Sequence, residues 1–367
     1  MSRKPIRFLV IGAGALVYEM HQPALTDEEV RVLGMCDAAP KPGRSRSKAM
    51  GVPFYADYRR MLRSHPEADA AVVMTPHHNH AEITLDCLSA GLHVLVEKPM
   101  ALQVRDAREM VAAAEKADRL LAVNFQQRFR PEVRAARNLL SGGALGEIQR
   151  MQLVVTWPRA RSYYRLADWR ATWRGEGGGV LMNQAPHDLD LICHLLGLPS
   201  RIMAWNQTRY HHIEVEDTIS ALLAWQGGFT GYVHISTQES DPAEELEIIG
   251  TGGVLRIRPN GLDFARFKTD VHTFLETADP FDRVELVPEA LEPESGTGDH
   301  RAVHANFRAA IRGEADLMCP GREGLQSLAL ANAMILSSRR DRPVDLPLDS
   351  EAYAELLADL QTAGKEI

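Results

Sequence analysis

The sequence predicts an α/β chain in two parts. Residues 1–125 read as a doubly wound parallel sheet, and residues 126–367 as an α+β unit with a mainly antiparallel sheet. Three observations predict this. Short apolar strands alternate with helical stretches through the first third, the order of a parallel sheet covered on both faces. A glycine turn, Gly12-Ala13-Gly14, directly follows the first strand. Beyond residue 125 the alternation gives way to runs of strands with the hairpin-like pairs Gly227-Gly228 and Gly252-Gly253.

In the first part, strands are expected at Ile6–Ile11, Val30–Cys36, Ala70–Met74, His93–Val96 and Leu120–Phe125, because each is a short, nearly continuous apolar run. Helices are expected at Ala15–Leu25, Arg44–Met50, Tyr58–Arg63, Ala81–Ala90 and Val104–Ala117. In the second part, Pro131–Leu140 reads as a helix. Strands follow at Gln149–Thr156, Ile202–Gln207, Thr218–Trp225, Thr230–Thr237, Glu244–Gly250 and Val254–Arg258. Further helices are expected at Gln184–Leu196, ending before Gly197, at His300–Arg312 and at Glu323–Ser338. The acidic stretch Ala278–Gly298, with several Pro and Gly residues, reads as a surface loop.

With 367 residues the chain is long enough for two domains. Its 45% apolar and 25% charged residues are those of an ordinary globular protein. A net charge of -8 lacks the basic stripe of a nucleic-acid binder. No apolar run approaches a membrane span, and the first strand begins too early to leave room for a cleaved leader. Cys36, Cys87, Cys193 and Cys319 are widely spaced beside apolar neighbours, so buried thiols in a reducing cytoplasm are expected.

The glycine turn opens a helix. Gly12 permits the tight turn and Gly14 lets the backbone approach a pyrophosphate drawn to the helix N-terminus, with Ala15 and Leu16 alongside. Val17 replaces the third glycine of the usual fingerprint and is expected to loosen helix–strand packing. Asp37 ends the second strand, where its carboxylate accepts from adenosine ribose hydroxyls and repels a 2′-phosphate, favouring NAD over NADP. Lys41, Arg44 and Arg46 just beyond could clamp a phosphate or form a solvated face. Thr75, Pro76 and His80 follow the third main strand, on the nicotinamide side of such a sheet. His77, His78 and His80 have no carboxylate or cysteine at ligand spacing, and a solvent-exposed loop accounts for them; no metal is expected. Glu97-Lys98-Pro99 ends the strand His93–Val96. A lysine there places an amine beside a nicotinamide, where it can move a proton while a hydride moves; the alternative is a surface ion pair with Glu97. His300 and His304 lie four apart on a helix with no third ligand apparent, which favours structural or surface roles.

These residues together resemble one family. Gly12-x-Gly14 with Asp37, Thr75-Pro76-x-x-x-His80, Ala90-Gly91-x-His93-Val94-x-x-Glu97-Lys98-Pro99 and Asn124-Phe125-Gln126-Gln127-Arg128-Phe129-Arg130-Pro131 are similar to the glucose–fructose oxidoreductase, inositol dehydrogenase and rhizopine catabolism (Gfo/Idh/MocA) family. The similarity continues in Trp169-Arg170-Ala171-Thr172-Trp173, in Gly177 to Asp190, in Glu214 to Thr218 and in Arg342 to Pro347, nearly the whole chain. It implies a Rossmann domain, then an α/β domain with an open, mainly antiparallel sheet that builds homodimers or homotetramers. It implies NAD(P)-dependent oxidation or reduction of a secondary alcohol of a sugar, sugar derivative, glycoside (C3 included) or inositol, with Lys98 and His187 catalytic. Asn183 stands where many members have aspartate; it hydrogen-bonds a hydroxyl but cannot transfer a proton.

On this reading Lys98 is the base, with a pKa lowered by desolvation and by the positive nicotinamide. His187 bonds the reacting oxygen or relays the proton. Arg128, Tyr163, Tyr164, Trp169, Arg170 and Asn183 line the sugar pocket, and Glu97, Lys98 and Arg128 also face the cofactor. Two other functions stay open: redox-neutral glycoside cleavage with recycled NAD, and a non-catalytic dinucleotide or sugar sensor. Retention of Lys98 with His187 favours an enzyme.

Overall fold

The computed structural model describes residues 3–364 apart from 242, 260, 292 and 293. The first sheet comprises β1 (Ile6–Ile11), β2 (Val30–Cys36), β3 (Phe54–Tyr55), β4 (Ala70–Val73), β5 (His93–Val96) and β6 (Leu121–Val123). All pairs are parallel, in the order β3-β2-β1-β4-β5-β6. Between them run α1 (Tyr18–Leu25), α2 (Pro40–Met50), α3 (Tyr58–Ser64), α4 (His80–Ser89) and α5 (Val104–Ala117). The strand β3 was not expected: two residues carry no readable pattern. The parity of β1 shows why its apolar run is continuous. Leu9 and Ile11 enter one core, while Ile6, Phe8 and Val10 enter another on the opposite face. The strand order reverses between β1 and β4, which opens a crevice at their carboxyl ends.

The second sheet is larger and mixed. Its strands are β7 (Ile148–Thr156), β8 (Arg201–Gln207), β9 (Thr218–Ala224), β10 (Thr230–Ser236), β11 (Glu244–Gly250), β12 (Gly253–Arg258), β13 (Gly261–Phe267), β14 (Leu286–Glu289) and β15 (Val344–Asp345). They lie in the order β14-β13-β12-β11-β7-β10-β9-β8-β15, and only β7 with β10 is parallel. Both glycine pairs make the expected hairpins, joining β9 to β10 and β11 to β12.

The helices of this half are α6 (Pro131–Ser141), α7 (Arg161–Tyr164), α8 (Val180–Asn183), α9 (Pro186–Leu196), α10 (Val271–Thr277), α11 (His300–Ile311), α12 (Gly321–Arg340) and α13 (Ser350–Ala363). Two expectations need correction. The single helix over Gln184–Leu196 is preceded by the separate turn α8, and α9 starts with Pro186 in its first turn, where its missing N–H costs nothing. The acidic stretch Ala278–Gly298 holds β14, a fully exposed edge strand held by main-chain pairing to β13; residues 292 and 293 lie outside the described part.

Two late helices return to the first sheet. Helix α11 packs on α1 and sends Val303 and Phe307 into the core of Phe8, Val10 and Tyr18. Helix α12 lies between α5 and β6 on one side and α9 and β8 on the other. One side of the second sheet is thereby buried. The other presents Trp205, Leu222 and Tyr232, between 37% and 53% exposed, with Leu222 paired to both Tyr232 and Met203.

Candidate active site

The glycine turn is built as a cradle. Gly12 has φ +95, and a Cβ there would stand 2.6 Å from the Met74 carbonyl carbon, so only glycine fits. Gly14 N donates to the Asp37 carboxylate at 2.6 Å, and Ala39 N donates to its other oxygen at 2.7 Å. Asp37 is therefore fixed against the turn, with lone pairs to spare for ribose hydroxyls. Arg46 belongs to α2 and is no solvated residue. It donates to the Ala13 and Ala15 carbonyls at 2.7 and 2.8 Å and stacks on Tyr18. Arg44 stacks on Phe54, and Lys41 is exposed. Val17 packs against the core around Phe8 and Tyr18, so the expected loosening is absent and α1 stays seated. Ala15 and Leu16 line the outer side of the turn, Leu16 exposed.

At the carboxyl ends of β4 and β5 the residues fit a nicotinamide. Thr75 Oγ1 and Asn124 Oδ1 are buried without a protein partner. Pro76 is half-buried beside them. His80 is buried, its ring bridging the Pro99 and Thr75 carbonyls at 2.8 and 2.7 Å. His77 is also buried, against the Glu176 carbonyl at 3.3 Å and the Trp169 ring at 5.0 Å. His78 alone of the three is exposed, and it bonds the Gly175 carbonyl. The solvent-loop reading of this trio is thus corrected: the 175–177 loop descends over them and supplies carbonyl acceptors.

Lys98 leaves the end of β5 and donates from Nζ to the Asn183 carbonyl at 2.6 Å. Burial lowers its pKa below the ordinary lysine value, against the opposing charges of Glu97 and Glu176. Glu97 turns the other way, into a buried cluster. It accepts from His21 Nε2 at 2.9 Å and from Asn124 at 2.5 Å, with His300 Nε2 at 3.5 Å. Burial alone would raise its pKa, but the bonds from His21 and His300 hold it well below the usual range. Because the carboxylate only accepts, His21 Nε2 carries the proton, and its Nδ1 accepts from His304 Nε2 at 2.8 Å. His300 and His304 are buried members of this network, which corrects the view that no third group joins them. His21 and Glu97 are distant in sequence, and the packing of α11 on α1 brings His300 and His304 to them.

His187, at the start of α9, approaches Gln126 Nε2 through its Nε2 at 3.3 Å, and its ring meets Phe125 edge-on. Its Nδ1 is buried without a partner. Burial, then the Lys98 charge, lowers its pKa to about 3, so the ring is neutral at physiological pH.

Tyr163 OH donates to Asn183 Oδ1 at 3.2 Å and receives Arg170 at 3.0 Å and Gln184 at 3.2 Å. Arg170 also stacks on Trp169. Asn183 Nδ2 donates to Glu176, a buried carboxylate whose other oxygen accepts from Ala171 N at 2.6 Å. Glu176 escaped the sequence reading because Gly175-Glu176-Gly177 looks like plain loop. Tyr164 turns toward the second sheet, its OH on Thr237 at 2.7 Å and its ring on His211.

Arg128 requires a correction. It is 1% exposed, paired with both Asp190 oxygens at 2.7 and 2.6 Å, with Glu323 and with the Met318 carbonyl at 2.9 Å. With its guanidinium spent on α9 and α12, it lines neither the cofactor nor the sugar pocket. A buried cation needs such partners.

Known proteins match this architecture. The oxidoreductase family with an NAD-binding Rossmann fold, Gfo/Idh/MocA, matches residues 6–125, and the Gfo/Idh/MocA C-terminal domain matches residues 133–256. The 1,5-anhydro-D-fructose reductase of Ensifer adhaerens is 27% identical over 93% of this chain and 98% of its own. D-Glucoside 3-dehydrogenase of Escherichia coli is 30% identical over 54% of this chain and 56% of its own. The solved WlbA dehydrogenase of Chromobacterium violaceum, in complex with NADH and UDP-GlcNAcA, superposes with a TM-score of 0.83 at 30% identity, covering 95% of this chain and 98% of that one. The glycine cradle with Asp37, the strand-end lysine and these matches lead to one conclusion: the chain belongs to the Gfo/Idh/MocA family of NAD(P)-dependent oxidoreductases.

Proposed function

We propose that the protein is an NAD-dependent dehydrogenase that interconverts a secondary alcohol and a ketone on a sugar derivative, glycoside (C3 included) or inositol ring. The observation that carries this is Lys98. It is a half-buried lysine at the carboxyl end of a parallel strand, one proton donated to Asn183 and its pKa lowered by desolvation. NAD, when bound, accepts or returns the hydride. In the oxidative direction, the neutral Lys98 amine takes the hydroxyl proton as the C–O bond becomes a carbonyl. Its hydrogen bond to Asn183 leaves the lone pair free for this. His187 is neutral, and its unpartnered Nδ1 can bond the reacting oxygen without adding charge. Tyr163, Trp169 and Arg170 offer an aromatic face and donors suited to a sugar ring. Residues 1–125 act as the cofactor unit and 126–367 as the substrate and assembly unit, with copies pairing through the open side of the second sheet.

The test is reduced-nicotinamide formation with NAD and a panel of inositols, free sugars, sugar acids, nucleotide sugars and glycosides. Turnover of one class is expected. Lys98→Ala should lower kcat by roughly 100-fold or more, a general-base loss, while NAD still binds. Release of aglycone without net reduction would replace this reading by redox-neutral cleavage.

A further inference from the structure

Of the buried carboxylates the mechanism above does not use, Glu176 touches the site most directly. Glu176 is 1% exposed and lies where three site segments meet. One oxygen accepts from Ala171 N at 2.6 Å, fixing the loop that bears Trp169 and Arg170. The other accepts from the Asn183 side chain and stands 3.7 Å from Arg170 Nη1. Asn183 in turn supplies the carbonyl that holds Lys98.

The orientation of the Asn183 amide follows from these bonds. Tyr163 OH already receives Arg170 and Gln184, so its own proton goes to Asn183 Oδ1. Nδ2 must then face Glu176; turned over, the amide would set its carbonyl oxygen against the carboxylate. The groups facing Lys98 are Glu97 on its own strand end, Arg170 and Glu176 on the loop before α8, His77 after β4, and Asp188 and His187 on α9. Glu97 is committed to His21, Asn124 and His300. Burial pushes Asp188 toward its neutral form.

We propose that Glu176 is a positioning residue for the reaction. Its carboxylate locks Asn183 with Oδ1 toward Tyr163 and the substrate side, and its negative charge adds to that of Glu97 in favouring the protonated form of Lys98. This rests on the dehydrogenase reading for its catalytic consequence, but not for its electrostatic one. Removing the charge disfavours the ammonium form, so Lys98 should lose its proton at lower pH.

The experiment measures the pH midpoint of Lys98 acylation by acetic anhydride, followed by mass spectrometry, with exposed Lys268 as internal reference. Glu176→Gln should lower the midpoint by about half a unit or more, and the acid limb of kcat for alcohol oxidation should move with it. Plateau kcat should fall roughly 10-fold from lost positioning, with NAD affinity within about twofold. The exchange variant E176Q/N183D returns a carboxylate to the pair and should restore the wild-type midpoint. An unchanged midpoint in folded E176Q, whatever its melting temperature, would overturn the proposal. Should E176Q not fold, the exchange variant decides alone: a wild-type midpoint supports the role and a lowered one removes it. A shifted midpoint in a protein that oxidises no alcohol would instead remove the dehydrogenase reading and leave the charge coupling standing.

Discussion

Lys98 and His187 are both half-buried, and the desolvation of their side chains drives both toward neutrality. For His187 this means a pKa of about 3, so the ring stays neutral through the whole working range. For Lys98 the proton is lost below the ordinary value of about 10.4. The pH profile for alcohol oxidation should therefore show one acid limb, rising with pH and lying below about 10. It belongs to Lys98. His187→Gln should lower kcat and leave the limb in place; a limb that vanished with His187 would assign the titration to the imidazole. The placement of Lys98 at a strand end was legible because an apolar run and a glycine turn frame it. The role of Arg128 was not. Its partners Asp190 and Glu323 lie 62 and 195 residues away and contribute through helices whose rotation no local pattern reveals. Glu176 was hidden for another reason: its partners are near in sequence, a loop N–H and an amide on α8, but a glycine-flanked loop carries no pattern that says its carboxylate turns inward.

Among the elements, the strands of the first sheet were readable because both faces are covered, which makes each one an unbroken apolar run. The short edge strands β3, β14 and β15 had no such signal, since main-chain pairing alone defines them. Helix α8 is held by the loop before it and by Glu216, which accepts from Gly179 N at 2.8 Å and Leu181 N at 3.1 Å. Burial raises the Glu216 pKa to about 7, and its second oxygen has no partner. The folded state thus keeps a proton that the unfolded chain, with a pKa of about 4.3, has already lost. Stability from this group declines as pH rises from about 4.3 toward 7 and is level above that. Glu216→Gln should therefore be more stable than wild type at pH 8, by on the order of 1–3 kcal/mol, and nearly equal to it at pH 4.5. Urea unfolding at the two pH values checks this; equal differences at both would show that Glu216 does not titrate in the window.

At the scale of the whole molecule, the open side of the second sheet presents Trp205, Leu222, Met203 and Tyr232 on neighbouring strands. Exposed apolar groups in a contiguous row are characteristic of an interface between copies. Leu222→Arg with Tyr232→Glu should shift sedimentation from oligomer to monomer while leaving the fold intact by circular dichroism. A wild-type protein that sediments as a monomer at micromolar concentration would remove this expectation.

The return of α11 to the first sheet also bears on synthesis. Phe8, Val10 and Tyr18 are covered by Val303 and Phe307, which leave the ribosome roughly 180 residues after the last strand of the first sheet is complete. At about 5–20 residues per second that interval is roughly 10–40 s. During it, the nascent cofactor unit has its strands but lacks the helix that seals one of its faces. A ribosome stalled before residue 300 should therefore display an incompletely closed nucleotide fold with the apolar face of Phe8, Val10 and Tyr18 uncovered.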